Sequence, residues 1–124
     1  MAWRKSPQAL VELFDAVLPA SSRIERRKMF GYPAAFVAGR LFSGLHQESF
    51  ILKLPEPDRE TLRAEHGAQA FEPRPGRRMR EYVVLPAALL ADRAALGSWL
   101  ARSIEYTAAQ GPKKTMPRRR RRSL

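Results

Sequence analysis

Seven cations and no acid fall in the last stretch of the chain, GPKKTMPRRRRRSL: Lys113, Lys114, Arg118, Arg119, Arg120, Arg121 and Arg122. Ammonium and guanidinium groups at this density neutralise phosphates, and they do so without reading base sequence. Arginine predominates, and its planar fork matches a phosphate better than the point charge of lysine does. Two further basic groups lie inside the chain. Arg26, Arg27 and Lys28 run into Met-Phe-Gly-Tyr-Pro, and Arg74, Arg77, Arg78 and Arg80 surround Pro75-Gly76. Arg26, Arg27, Lys28, Arg77 and Arg78 are the candidate phosphate contacts outside the last stretch. A trio of cations is also what a solvated strand edge carries, where charge deters edge-to-edge pairing. The two internal groups act together only if their segments are neighbours in the sheet.

Other chemistries lack their residues. With no cysteine, disulfides, thiolate nucleophiles and cysteine-bound metals are excluded. His46 and His66 are the only side chains that titrate near neutrality. The pattern puts the first in a turn and the second in the last turn of a helix, both at the surface. No H-x-x-x-H, H-E-x-x-H, G-x-S-x-G, P-loop or G-x-G-x-x-G spacing occurs. Gly31, Gly39 and Gly44 stand too far apart for a phosphate cradle and fall where strands bend. Tyr82 and Tyr106 have rings of the kind that stack on bases, but their positions fit half-buried rings with a wet hydroxyl. The expectation is a protein that is not an enzyme, with no cofactor and no metal. The amphipathic ALVELFDAVL is interrupted by Glu12 and Asp15, unlike a signal core. The longest apolar run, YVVLPAALLA, is about half a bilayer crossing. No membrane association and a cytoplasmic location are expected.

These residues need a frame to hold them. The chain has 124 residues, 44% of them hydrophobic, which suits one domain with a real core. Its net charge is +11, but residues before Gly111 hold sixteen cations against twelve acids, a net of +4. The charge is mostly at the end. An acid-free block of this kind predicts a disordered arm, so the division is a folded domain over 1–111 and a basic tail over 112–124.

Ser6 suits an N-cap with Pro7 at the first helical position, and Leu10, Phe14, Val17 and Leu18 recur at helical spacing until Pro19. RIERRKMF reads as extended, with Ile24 and Met29 inward, followed by a bend at Gly31-Tyr32-Pro33. AAFVA and LFSGL form a hairpin about Gly39. After a turn at HQES, FILKL puts Phe50, Leu52 and Leu54 on one face. Asp58 caps a short helix, RETLRAEH, that Gly67 ends. A loop rich in proline leads to a strand over Met79–Leu85. The last helix starts near Asp92 and carries Leu96, Trp99, Leu100 and Ile104 along one stripe. The fold class is α+β, an antiparallel sheet packed against helices in the rough order α-β(3-4)-α-β(1-2)-α. Phe30, Phe36, Phe50, Leu52, Trp99, Leu100 and Ile104 are expected to be buried together.

RRKMFGYPAAFVAGRLFSGLHQESFILKL, followed by GAQAFEPRPGRRMREYVVLP, resembles the TfoX/Sxy N-terminal domain family. The likeness lies in Met-Phe-Gly-x-Pro and in Phe-Glu-Pro-x-Pro-Gly-Arg-x-Met-x-Glu-Tyr-Val, and runs from the first helix to about Gly111. It implies a small α+β domain similar to YjbR-like proteins and type III secretion chaperones. The best-known members regulate natural competence together with the cyclic-AMP receptor protein. They carry a second, C-terminal domain, where this sequence has its basic stretch. The resemblance brings no catalytic residues.

The function expected is that of an accessory or regulatory protein, transcription-related, that binds nucleic acid weakly and non-specifically through its tail. In the alternative, the sheet or the first helix docks a transcription-related protein and the tail only solubilises. The sequence leaves the oligomeric state open, a dimer included.

Overall fold

In the computed structural model, residues 5–111 are described; Lys113, Lys114 and Arg118 to Arg122 lie outside them. Helix α1 (Gln8–Val17) is followed by four strands, β1 (Ile24–Met29), β2 (Tyr32–Val37), β3 (Arg40–His46) and β4 (Ser49–Lys53). Then come α2 (Glu56–His66), β5 (Gln69–Arg74), β6 (Arg77–Val84), the short α3 (Ala87–Leu90) and α4 (Arg93–Ala109). The strands form one antiparallel sheet in the order β1-β2-β3-β4-β6-β5. The fold is α+β, a six-stranded open sheet with helices packed against it.

The turns explain the meander. Met29 pairs with Tyr32 and Val37 with Arg40, leaving the two-residue loops Phe30-Gly31 and Ala38-Gly39. All four turn residues have positive φ, the geometry whose twist suits neighbouring strands. Glycine takes the second place in each without a Cβ penalty. The bend expected at Gly31-Tyr32-Pro33 is therefore one residue earlier, and Tyr32 and Pro33 already belong to β2.

Phe14 and Leu18, with Leu62, Leu89, Leu96, Leu100 and Ile104, close over Ala35, Val37, Phe42, Phe50, Leu52, Leu54, Val83 and Leu85 in one cluster. All four helices contribute to it, so they share one face of the sheet. Three of the expected core residues are elsewhere. Phe30 is 79% exposed, because it is the first residue of a tight turn. Phe36 points to the opposite face from Ala35 and Val37, where the Arg27 guanidinium lies 4.4 Å from its ring centroid. Trp99 packs only on the margin of the core, with Arg102 5.2 Å from its ring centroid.

The other face has a small apolar centre of its own. Tyr32, Ala34, Ile51 and Phe71 are buried there, outside the helix-side cluster. The β5–β6 hairpin curls over this face, so that Phe71 and Tyr32 each bring a ring to 5.4 Å from His46. His46 thus ends a strand, half-buried between two rings, and is not in the turn the sequence suggested. His66 is exposed at the end of α2, as expected.

Several local expectations shift. Helix α1 begins at Gln8, after an extended Pro7 whose carbonyl accepts the Leu10 and Val11 N–H groups. Ser6 is one place too early to cap, and its buried Oγ has no hydrogen-bond partner among the described residues. Asp58 lies inside α2, which starts at Glu56; its carboxylate serves a tertiary contact, accepting from Nε and Nη2 of Arg102 at 3.0 and 2.7 Å. The last helix starts next to Asp92 as expected, and Asp92 is its cap, accepting from the Ala95 N–H at 3.1 Å. The stretch read as a proline-rich loop contains β5, because an edge strand tolerates proline.

Candidate nucleic-acid interface

Arg26, Arg27 and Lys28 lie on β1, at one edge of the sheet, and Arg74, Arg77 and Arg78 on the β5–β6 hairpin at the other. The two internal basic groups are not sheet neighbours and do not merge. Nor are they equally available. Arg26 is paired with Asp15 of α1. Arg27 donates from Nε and Nη2 to the Glu25 carboxylate at 2.9 and 3.0 Å, which holds Glu25 below the usual carboxylate range. Two of three cations on β1 are therefore already neutralised, and that edge reads as charged protection against pairing.

The hairpin differs. Arg74 and Arg77 face each other across the Pro75-Gly76 turn, and Arg78 and Arg80 follow on β6, all exposed. Among the described residues none of these four is in an ion pair. The hairpin has two acids, one bonded within the turn and the other to α4. Glu72 accepts the Gly76 N–H at 2.6 Å, and Glu81 accepts the Tyr106 hydroxyl at 2.6 Å. Like charges directly opposite each other in a sheet repel. The hairpin thus presents four arginines without an ion pair, with the Glu72 carboxylate beside them at the turn.

A partly buried polar cluster joins this hairpin to the end of α4. Lys53, with its side chain only 7% exposed, donates from Nζ to Gln110 Oε1 at 2.8 Å and lies 3.7 Å from Glu81. Gln110 Nε2 donates back to Glu81 at 3.3 Å. Burial pushes the Lys53 ammonium down despite Glu81, while the Tyr106 hydrogen bond holds the Glu81 carboxyl low. Arg40 Nε donates to the Gly111 carbonyl at 2.8 Å. Tyr82 reaches from β6 to donate to the Leu41 carbonyl of β3 at 2.9 Å, and desolvation pushes its phenol up to about 12. Neither tyrosine offers a free hydroxyl, and no sequence pattern announces these contacts. Only the side-chain types, a lone lysine in an apolar strand and a glutamate beside Tyr82, hinted at them.

The profile of the TfoX N-terminal domain matches residues 15–107, three-quarters of the chain. The chain belongs to that family. The match starts in α1 and takes in all six strands and most of α4. In this TfoX N-terminal domain it therefore includes the basic hairpin and Lys53, Glu81 and Tyr106, while Gln110, Gly111 and the basic stretch after them lie beyond it. No curated protein sequence matches the chain. Among the described residues, no group of three or more His, Asp or Glu side chains could hold a metal ion, and no helix is long and apolar enough to cross a membrane. A shallow groove of about 200 Å³ runs between the end of α1 and α4, lined by Val17, Ile24, Gly97, Leu100 and Ile104. Its charged groups are Arg23 and Glu105, already paired with each other at 3.4 Å.

Proposed function

We propose that this TfoX N-terminal domain protein is a non-enzymatic accessory of transcription-related processes that binds nucleic acid weakly and without sequence preference. The grip comes chiefly from Lys113, Lys114 and Arg118 to Arg122. The observation that carries the reading is the division of charge: a body of +4 beside seven cations unaccompanied by any acid. Of the two internal basic groups, the hairpin is the one with cations to offer. Arg26 and Arg27 have their acids, whereas Arg74, Arg77, Arg78 and Arg80 have none among the described residues. Phosphate contacts of this kind position a protein on nucleic acid and carry no sequence information themselves.

The test is binding of the full chain to two labelled duplexes of unrelated sequence. Equal affinities, falling by roughly a thousandfold between 50 and 200 mM salt if about six phosphates are neutralised, are the expected result. A strong preference for one duplex would contradict non-specific binding. No binding to either would leave the protein-adaptor function, with the sheet or α1 as the docking surface.

A further inference from the structure

We propose that the outer half of the β5–β6 ribbon enters the major groove of duplex DNA, where Arg74, Arg77, Arg78 and Arg80 hold phosphates of the backbones on either side. The inference rests on the nucleic-acid reading above and names the part of the folded body that meets the duplex. Its first support is the shape of the ribbon. β4 pairs with β6 only over residues 82–84, whereas β5 stays paired with β6 as far as Arg74 and Arg77. β5 is itself the edge strand. Over residues 72–80 the chain is thus a two-stranded ribbon with no third strand beside it among the described residues. Apart from Pro73 and Met79, its residues are exposed. The base of the ribbon is held. Arg59 donates to the carbonyls of Leu54 and Arg80, and the Phe71 ring packs on His46.

The second support is what the ribbon carries. Arg74 and Arg77 are opposed across the Pro75-Gly76 turn, and Arg78 and Arg80 follow on β6, none of them in an ion pair among the described residues. One carboxylate stands beside them at the turn, that of Glu72, and it accepts the Gly76 N–H at 2.6 Å. Opposed like charges repel in a sheet, and rows of phosphates on both sides of the ribbon relieve that repulsion. The dimensions agree. The major groove of B-DNA is about 12 Å wide and admits a two-stranded ribbon. Residues 77 to 82 of β6 span about 17 Å, about twice the groove's depth of about 8.5 Å. At the tip, Pro75 and Gly76 have no side-chain donor or acceptor, so the part that enters deepest reads no base edge. That agrees with binding without sequence preference. The deep, narrow major groove of an RNA duplex does not admit the ribbon.

The experiment compares two helices. Binding of the full chain to a labelled mixed-sequence DNA duplex, and to an RNA duplex of the same sequence, is titrated against salt. The first variant carries Arg74→Ser, Arg77→Ser and Arg78→Ser. The second removes the same charge outside the ribbon, with Arg23→Ser, Arg63→Ser and Arg93→Ser. On DNA the first variant is expected to show a log K against log salt slope shallower by about 3, whereas Arg74→Lys, Arg77→Lys and Arg78→Lys together keep the slope. On RNA the slope of the first variant should match that of the unmodified chain, and the second variant should match it on both helices. A first variant that leaves the DNA slope unchanged, or changes it no more than the second does, overturns the proposal and leaves binding through the basic stretch intact. Equal loss on DNA and RNA overturns groove entry. Failure of the unmodified chain to bind the DNA duplex overturns both this inference and the reading it rests on. All six positions are exposed, and thermal unfolding of each variant checks that it is folded.

Discussion

At the scale of single residues, the side chains that matter most are those taken up by the fold. Tyr82 illustrates this. Its hydroxyl is spent on the Leu41 carbonyl, and its phenol is pushed up to about 12 by desolvation. A raised folded-state pKa means that the folded chain binds the proton more tightly than the unfolded chain does, so the stability it contributes is complete below about pH 10 and is lost as pH rises through about 12. Lys53 acts with opposite sign, since burial lowers its pKa and stability is gained as pH rises towards about 10.4. Tyr82→Phe is expected to cost about 1 kcal/mol at neutral pH and to flatten the alkaline decline, measured by denaturant unfolding between pH 8 and 12. Arg102 offers a second test. It holds the nearly buried Asp58 by two hydrogen bonds, and Arg102→Leu should cost about 1.5–3 kcal/mol by leaving that carboxylate short of donors. If Arg102→Leu unfolds at the same denaturant concentration as the parent chain, the pair contributes nothing.

At the scale of elements, the periodic segments were legible and the irregular ones were not. The stripe Leu96, Leu100, Ile104 and the alternation Phe50, Leu52, Leu54 fall on the core as read, because one face of each element is in fact buried. The size of Phe30 suggests burial, whereas its place before Gly31 makes it the first residue of a two-residue turn. Phe36 was assigned to the wrong face, since this sheet buries residues on both sides and alternation alone does not say which side carries the helices. Pro73 hides β5, since proline is tolerated there only because the strand is at the sheet edge. The candidate site divides in the same way. The cations were visible, but their partners Asp15 and Glu25, and the exit contacts at Gln110, depend on tertiary placement. Leu100→Ala, in the core, should cost about 2–5 kcal/mol. Phe30→Ser, on an exposed turn, should stay within about 0.5 kcal/mol. Thermal unfolding of the two variants separates these outcomes, and a large loss for Phe30→Ser would mean that the turn ring has a packing role.

At the scale of the whole molecule, positive charge is unevenly distributed. Two of the three cations on the β1 edge have their acids, the helix-side face is filled by core, and Arg74, Arg77, Arg78 and Arg80 stand without an ion pair on the β5–β6 hairpin among the described residues. A body of +4 is an ordinary solubility margin, so the binding expected of the chain comes from outside it. The most direct measurement is a salt titration of duplex binding for the full chain and for the chain ending at Gly111. With about six phosphates contacted by residues 112–124, removing them should flatten the log K against log salt slope by about 5 and leave thermal unfolding unchanged. Equal slopes for the two chains would contradict binding through the basic stretch.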